Sequence, residues 1–281
     1  MVYKDRVVEA FKQTINDRIE GEVRFSDVDL HFISTFPSVG LTLDSFTVTG
    51  RESFAPVELL SARSVDFTLD FWSLLNDDIP YTVKSLQLVD PLIDIVLNES
   101  GVANYDITTS TDDEESSSPF QLSLESYDIV NGSISYRNFQ DNTQLELRSV
   151  DHKGSGNLSA DQLVLKTLSD IQSISIKQDG IYYLSDVPFN GAVDINIDNI
   201  NQSYTIEKAE VNLSNLPVVL SGVFKNVDPI FVDFNVKADD ADFGHMLSLL
   251  PSAFRENIPE MNFSGRGALE VITKGTYNSA V

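Results

Sequence analysis

The chain has 281 residues, 43 acidic against 19 basic side chains, a net charge of −24 at pH 7 and no cysteine. That charge repels nucleic acid and anionic bilayer surfaces, and the missing thiols exclude disulfides, thiolate metal sites and a cysteine nucleophile. Hydrophobic residues at 42% and charged residues at 22% give the balance of a globular chain of one or two domains, and no apolar run reaches the roughly 18 residues of a membrane span.

Residues 2 to 19 put Val7, Phe11, Ile15 and Ile19 on one helical face with charges opposite. The spacing predicts an amphipathic helix packed on the end of a sheet, with Gly21 as its left-handed cap. From Val23 the period becomes two: Val23, Phe25; Val28, Leu30, Phe32; Leu41, Leu43; Phe46, Val48. Phase shifts at Ser26-Asp27 and at Ser45 each add one residue and predict bulges that bend a strand without ending it. The alternation returns in Val65, Phe67, Leu69, Phe71, in Leu86, Leu88, Ile93, Ile95, Leu97, and in nine further short runs up to Leu269 and Val271. Short helices are predicted at Phe243 to Leu250, where Asp239, Asp240 and Asp242 complement the N-terminus, and at Trp72 to Leu75.

The segment 108–118, TTSTDDEESSS, has no apolar residue and reads as an acidic flexible loop between a first module at 1–107 and a continuing one at 119–281. KSLQLVDPLIDI at 84–95 aligns with ESYDIVNGSISY at 125–136. Each copy reads as a hairpin, turning at Asp90-Pro91 or Asn131-Gly132. Repeated hairpins predict a mainly β chain organised as one long, strongly bent antiparallel sheet.

Candidate chemistry is sparse. His31, His152 and His245 are far apart without metal or triad spacing. Asp194, Asn196 and Asp198 alternate on the wet side of a strand instead of in a glycine-containing calcium loop. Gly154-Ser155-Gly156 lacks the strand-to-helix setting of a nucleophile elbow, and no phosphate-binding glycine loop is present. The sequence therefore predicts no enzyme, cofactor or metal. Its informative feature is an apolar sheet face that a second sheet would cover in a sandwich or barrel, and that a ligand would cover in a groove.

Residues 25 to 75, from FSDVDLHF to DFWSLL, resemble the N-terminal region of the AsmA family, as do SLQLVDPLIDIVLNESGVANYDI at 85–107, SSSPFQLSLESYDIVNGSISYRN at 116–138 and VDHKGSGNLSADQLVLKT at 150–167. The likeness is closest to AsmA proteins of Bacteroidetes-type bacteria and extends to DADFGHMLSLLP and GALEVITKGTY. Its more specific marks are Phe36-Pro37, Asp90-Pro91 and the stretch from Gly101 to Asp106, where Tyr105 stands in place of the family's usual Trp.

The resemblance implies a taco-like open apolar groove related to TamB and the chorein-type bridge-like lipid transfer proteins. It also implies an inner-membrane anchor before the first helix, absent from this sequence, a periplasmic body and an outer-membrane partner. The chain then reads as a segment that lacks both that anchor and a C-terminal remainder. On this reading phospholipid or another acyl-chain lipid is the cargo. Phe25, Leu30, Leu41, Leu43, Val65, Phe67, Leu69, Leu86, Leu88, Ile93, Ile95, Ile134 and Tyr136 are expected to line the groove. The rival expectations are a scaffold that assists outer-membrane protein assembly without lipid, and a carbohydrate-active enzyme on an all-β frame.

Overall fold

The computed structural model describes residues 21–32, 38–50, 54, 57–75, 81–107, 120–249 and 264–277. The helix expected over residues 2 to 19, the Phe36-Pro37 step and the acidic segment 108–118 lie outside them. The chain divides into two compact units, residues 1–141 and 142–281. Fourteen strands and two short helices make up the described elements.

Unit 1 contains β1 (Glu22–Arg24), β2 (Asp27–Phe32), β3 (Ser38–Thr49), β4 (Glu58–Asp70), α1 (Phe71–Leu75), β5 (Tyr81–Val89), β6 (Leu92–Leu97) and β7 (Phe120–Asn138). Neighbours run β1-β3-β4-β5-β7, with β2 beside β3 and with β6 pairing both β4 and β7. β3 runs on through Ser45, as expected of a bend that does not end a strand, whereas the bend expected at Ser26-Asp27 does end one: the chain is interrupted there into β1 and β2, which pair β3 on either side of Ser45. Asp70 closes β4 and starts α1: its Oδ1 accepts from the Trp72 and Ser73 amides at 2.9 and 3.2 Å. Buried Ser73 ties this turn to β5, accepting from the Thr82 amide at 3.0 Å.

The two aligned segments are not hairpins. β5 and β6 lie parallel to β7 in one continuous register, Leu86↔Tyr127, Leu88↔Ile129 and Ile93↔Ile134, so each residue faces its counterpart in the internal alignment. Both β5 and β6 are also antiparallel to β4. Asp90 and Asn131 take left-handed φ values of 49° and 52° within a chain that keeps its direction. Asn and Asp tolerate that region, so the dipeptides that read as turns are kinks. The expectation of an all-antiparallel sheet is corrected accordingly, because unit 1 is mixed.

The kinks follow one logic. Leu43 to Phe46, Val65 to Ala62, Leu88 to Pro91 and Ile129 to Gly132 are all three-residue steps. In a strand of period two, such a step would throw the second residue onto the opposite face. The left-handed residue at Ser45 (φ 51°), Asp90 and Asn131 absorbs the odd residue, and Phe46, Pro91 and Gly132 remain buried; β4 makes the same step to the buried Ala62 without a positive φ. The kinked residues are joined on the surface: Asn131 donates to Asp90 Oδ1 at 2.7 Å and Arg63 Nε to Asp90 Oδ2 at 2.6 Å. These two donors, Asn131 first, hold the Asp90 carboxyl below the usual carboxylate range.

Unit 2 contains β8 (Thr143–Ser155), β9 (Gln162–Gln178), β10 (Ile181–Asp198), β11 (Ser203–Leu213), β12 (Leu216–Lys225), β13 (Ile230–Asp242), α2 (Phe243–Ser248) and β14 (Arg266–Tyr277). Its strands are neighbours in chain order and antiparallel throughout. The two-residue turns that close its hairpins at Asp179-Gly180 and Ser214-Asn215 have positive φ at both positions, the geometry that matches strand twist. Asp242 caps α2 by accepting from the His245 amide at 3.1 Å. Ser149 (φ 50°) and Asp186 (φ 53°) repeat the kink of unit 1 between Leu147 and Val150 and between Leu184 and Val187.

Candidate functional site

Twelve of the thirteen groove residues expected from the sequence lie on strands of unit 1 and fall in cross-strand rows, and Phe25 sits between β1 and β2. Leu30, Leu41, Phe67 and Leu86 form one row, and Leu43, Val65 and Leu88 the next. Beyond the kinks Ile93 pairs with Ile134 and Ile95 with Tyr136. Directly opposite side chains on one sheet face touch, which is what makes each row a continuous apolar strip. The rows differ in depth. Leu41 and Leu43 are 1% exposed, Val65 2% and Leu69 0%, so these four are sealed by the protein's own atoms. Phe25, Leu30, Phe67, Leu86 and Leu88 pack against them partly buried, and Ile93, Ile95, Ile134 and Tyr136 are half-buried. Burial also raises the pKa of the Tyr127 phenol, which faces Leu86.

A residue that sequence reasoning gave no role completes unit 1. Asn104, within the stretch Gly101 to Asp106, is fully buried. Its side chain accepts from the Val96 amide at 2.9 Å and donates to the Asp94 carbonyl at 2.6 Å. β6 pairs β4 only at Ile93 and Leu92. Asn104 therefore supplies a partner to β6 backbone groups beyond that pairing, which would otherwise be buried at a cost. No local pattern marks this role, because the burial of Asn104 is set by the tertiary structure. Tyr105 next to it is 53% exposed.

Unit 2 carries the wider apolar face. One row runs Val150, Ile171, Phe189, Leu213, Leu216. Another runs Leu163, Ile197, Tyr204, Phe224, Val232, with the Tyr204 and Phe224 rings 5.9 Å apart. A third runs Ala209, Leu220, Val236, Val271. The alternation of long strands places these side chains together, while charges such as Lys237 and Glu270, paired at 2.9 Å, take the other face.

This face is far from uniformly covered. Val150, Val187, Ala209, Val211, Leu216, Val218, Ala238 and Ala241 are buried, and Met246 and Leu249 at α2 pack against the cluster that the last six of these form. Leu163, Leu165, Ile174, Ile176, Ile195 and Ile197 stay half-exposed, and Leu269 and Val271 are 40% and 48% exposed. All seven strands of unit 2 lie in one run of neighbours, so among its described residues α2 is the only helix or strand off the sheet.

The polar candidates lie apart from one another. The His31 ring lies over Gly40, where a Cβ would meet it at 2.4 Å. His245 sits in the first turn of α2. His152 shares a 2.7 Å hydrogen bond with Ser169 on the apolar side of unit 2. Asp198 accepts from Asn201 and from Gln162, at 2.8 and 3.0 Å to Oδ2. Those contacts, Asn201 first, keep its carboxyl below the usual range. Asn196 reaches Glu207 at 3.5 Å. Among the described residues no group of three or more His, Asp or Glu side chains is placed to hold a metal ion, and no helix is long and apolar enough to cross a membrane.

In comparisons with known proteins no family model matches the chain, and neither a curated protein nor a solved structure does.

Proposed function

We propose that the chain is the periplasmic lipid-binding segment of an AsmA-like envelope protein, a non-enzymatic apolar wall that shields acyl chains on their way between inner and outer membranes. The observation that carries this reading is the half-exposed face of unit 2, where aliphatic and aromatic rows cross seven strands and, among the described residues, only α2 stands off the sheet. Each methylene exposed to water costs about 0.8 kcal/mol, so a two-tailed lipid with roughly 30 of them faces about 25 kcal/mol outside a bilayer. The half-exposed rows of Leu163, Leu165, Ile195 and Ile197 offer a tail apolar contact in place of water, while the net negative charge keeps the protein dispersed. In unit 1 the sealed Leu41, Leu43, Val65 and Leu69 hold the wall together, and Ile93, Ile95, Ile134 and Tyr136 supply its more open part.

The test is mass spectrometry of organic extracts of the purified protein, beside Leu165→Asp and Ile195→Asp variants. Both positions are half-buried, so the fold tolerates a charge there better than at Leu69. Co-purifying lipid that falls several-fold in both variants, with unchanged circular dichroism, is the expected result. Wild-type protein free of lipid, unable to take it up from vesicles, overturns the reading. The rival scaffold is favoured by the filled core of unit 1, where four expected lining residues leave no space for cargo. It predicts lipid-free protein.

A further inference from the structure

One place in the unit 2 face breaks its aliphatic pattern. Between the row Val150, Ile171, Phe189 and the row that pairs Leu165 with Ile195, the inward positions of β8 and β9 are His152 and Gly154, Ser169 and Thr167. The register sets His152 opposite Ser169 and Gly154 opposite Thr167, with Gly191 and Val193 completing the two rows on β10. Thr167 spends its hydroxyl on the Val193 carbonyl at 2.8 Å. His152 Nδ1 and Ser169 Oγ are 2.7 Å apart and only partly buried.

A hydroxyl and an imidazole in an apolar wall weaken it, since each must be desolvated and neither adds aliphatic contact. Sequences depart from local consistency of this kind mainly where a site is needed. A serine hydroxyl carries one hydrogen and two lone pairs, so with the His152 Nδ1–H donating to its Oγ, Ser169 can give its one hydrogen to a second oxygen. Gly191 completes the row on β10, where a Cβ would meet Val211 Cγ1 at 2.5 Å, so the Val211 side chain takes the room over it, and the next inward position on β8 is the buried Gly154.

We propose that His152 and Ser169 form a polar recognition point in the apolar wall for an oxygen acceptor of an amphiphile, an ester carbonyl or a phosphate oxygen, while the rows on either side take its hydrocarbon. This rests on the lipid-binding reading and adds the point on the wall at which the polar part of the cargo is held. A tail bound there is registered along the wall by its polar end instead of sliding freely.

The test titrates the full chain with three probes carrying one fluorophore: a pyrene-labelled phosphatidylcholine, a pyrene fatty acid methyl ester, and pyrenyl-dodecane, which has neither group. Ser169→Ala and His152→Leu variants are compared with wild type after circular dichroism and thermal melting show retained folding. Loss of one hydrogen bond should weaken phosphatidylcholine binding about five- to tenfold and leave pyrenyl-dodecane unchanged. A matching loss for the methyl ester identifies the carbonyl as the group recognised, and an unaffected methyl ester identifies the phosphate. Ser169→Ala protein that binds all three probes as wild type does, or loses all three equally, overturns the proposal while the apolar wall stands. Wild-type protein that binds no probe removes the wall itself.

Discussion

The left-handed kink at Asn131 makes a prediction of unusual sign. In an ordinary strand glycine is worse than alanine by about 0.5–1 kcal/mol, because it loses more backbone freedom on folding. At Asn131, φ is 52° within an unbroken strand, and a Cβ-bearing residue without a polar side chain costs roughly 1–2 kcal/mol in that region. Asn131→Ala and Asn131→Gly both lose the amide bond to Asp90, so that loss cancels between them. What remains favours glycine by about 0.5–1 kcal/mol. Ser135, four residues on in the same strand and paired with Asp94, is the control: there alanine should be the better residue. Urea unfolding followed by the single tryptophan, Trp72, reports unit 1 alone. The predicted gap at Asn131 is a midpoint higher by about 0.3–0.5 M for glycine than for alanine. Equal midpoints at Asn131, or the same order at both positions, would refute the argument that this residue bends the strand at a steric cost.

Asn104→Ala should remove about 2–4 kcal/mol, since it leaves the Val96 amide and the Asp94 carbonyl without their side-chain partners in a buried place. Urea unfolding and faster hydrogen exchange at Val96 check it, and a loss below about 0.5 kcal/mol would show that another group takes over. Asp70→Asn keeps an oxygen to cap α1 but loses the charge that faces Lys84 at 2.7 Å. The Asp70 carboxyl is held below its ordinary value, chiefly by Lys84 and further by the Ser73 and Trp72 amides, against a smaller upward push from burial. Its stabilisation is therefore complete above the unfolded-state value and is lost as pH falls through the lower folded-state value. The variant should melt lower at pH 7, by an amount worth about 0.5–1 kcal/mol, and the two proteins should converge once the pH has fallen below the lowered folded-state value of the carboxyl. A gap that persists at low pH would assign the effect to the cap instead of the charge.

Much of the architecture is legible in the order of residues. Period-two alternation marks strands such as β3, β9 and β10 because a pleated strand sorts successive side chains to opposite faces. The start of α2 follows from Asp242 placed before Phe243, and the bend at Ser45 from the odd step between Leu43 and Phe46. Each of these is a local property, set within a few residues by backbone geometry. The hairpins read at Asp90-Pro91 and Asn131-Gly132 show where local reading stops. A left-handed Asn or Asp serves equally in a turn and in a kink. What decides between them is the neighbouring strand: β4 continues past both β5 and β6, and its hydrogen bonds hold them in line. Asp179-Gly180 has the same chemistry without such a constraint, and there the chain does reverse.

The candidate site divides in the same way. Alternation alone determined which residues share the apolar side, and that is why Leu43, Val65 and Leu88 meet in one row. It carries no information about what lies above that side, because coverage is set by elements distant in sequence. Only the tertiary structure decided that Leu69 is sealed while Ile195 and Leu165 stay half-open, and that His152 meets Ser169 across two strands.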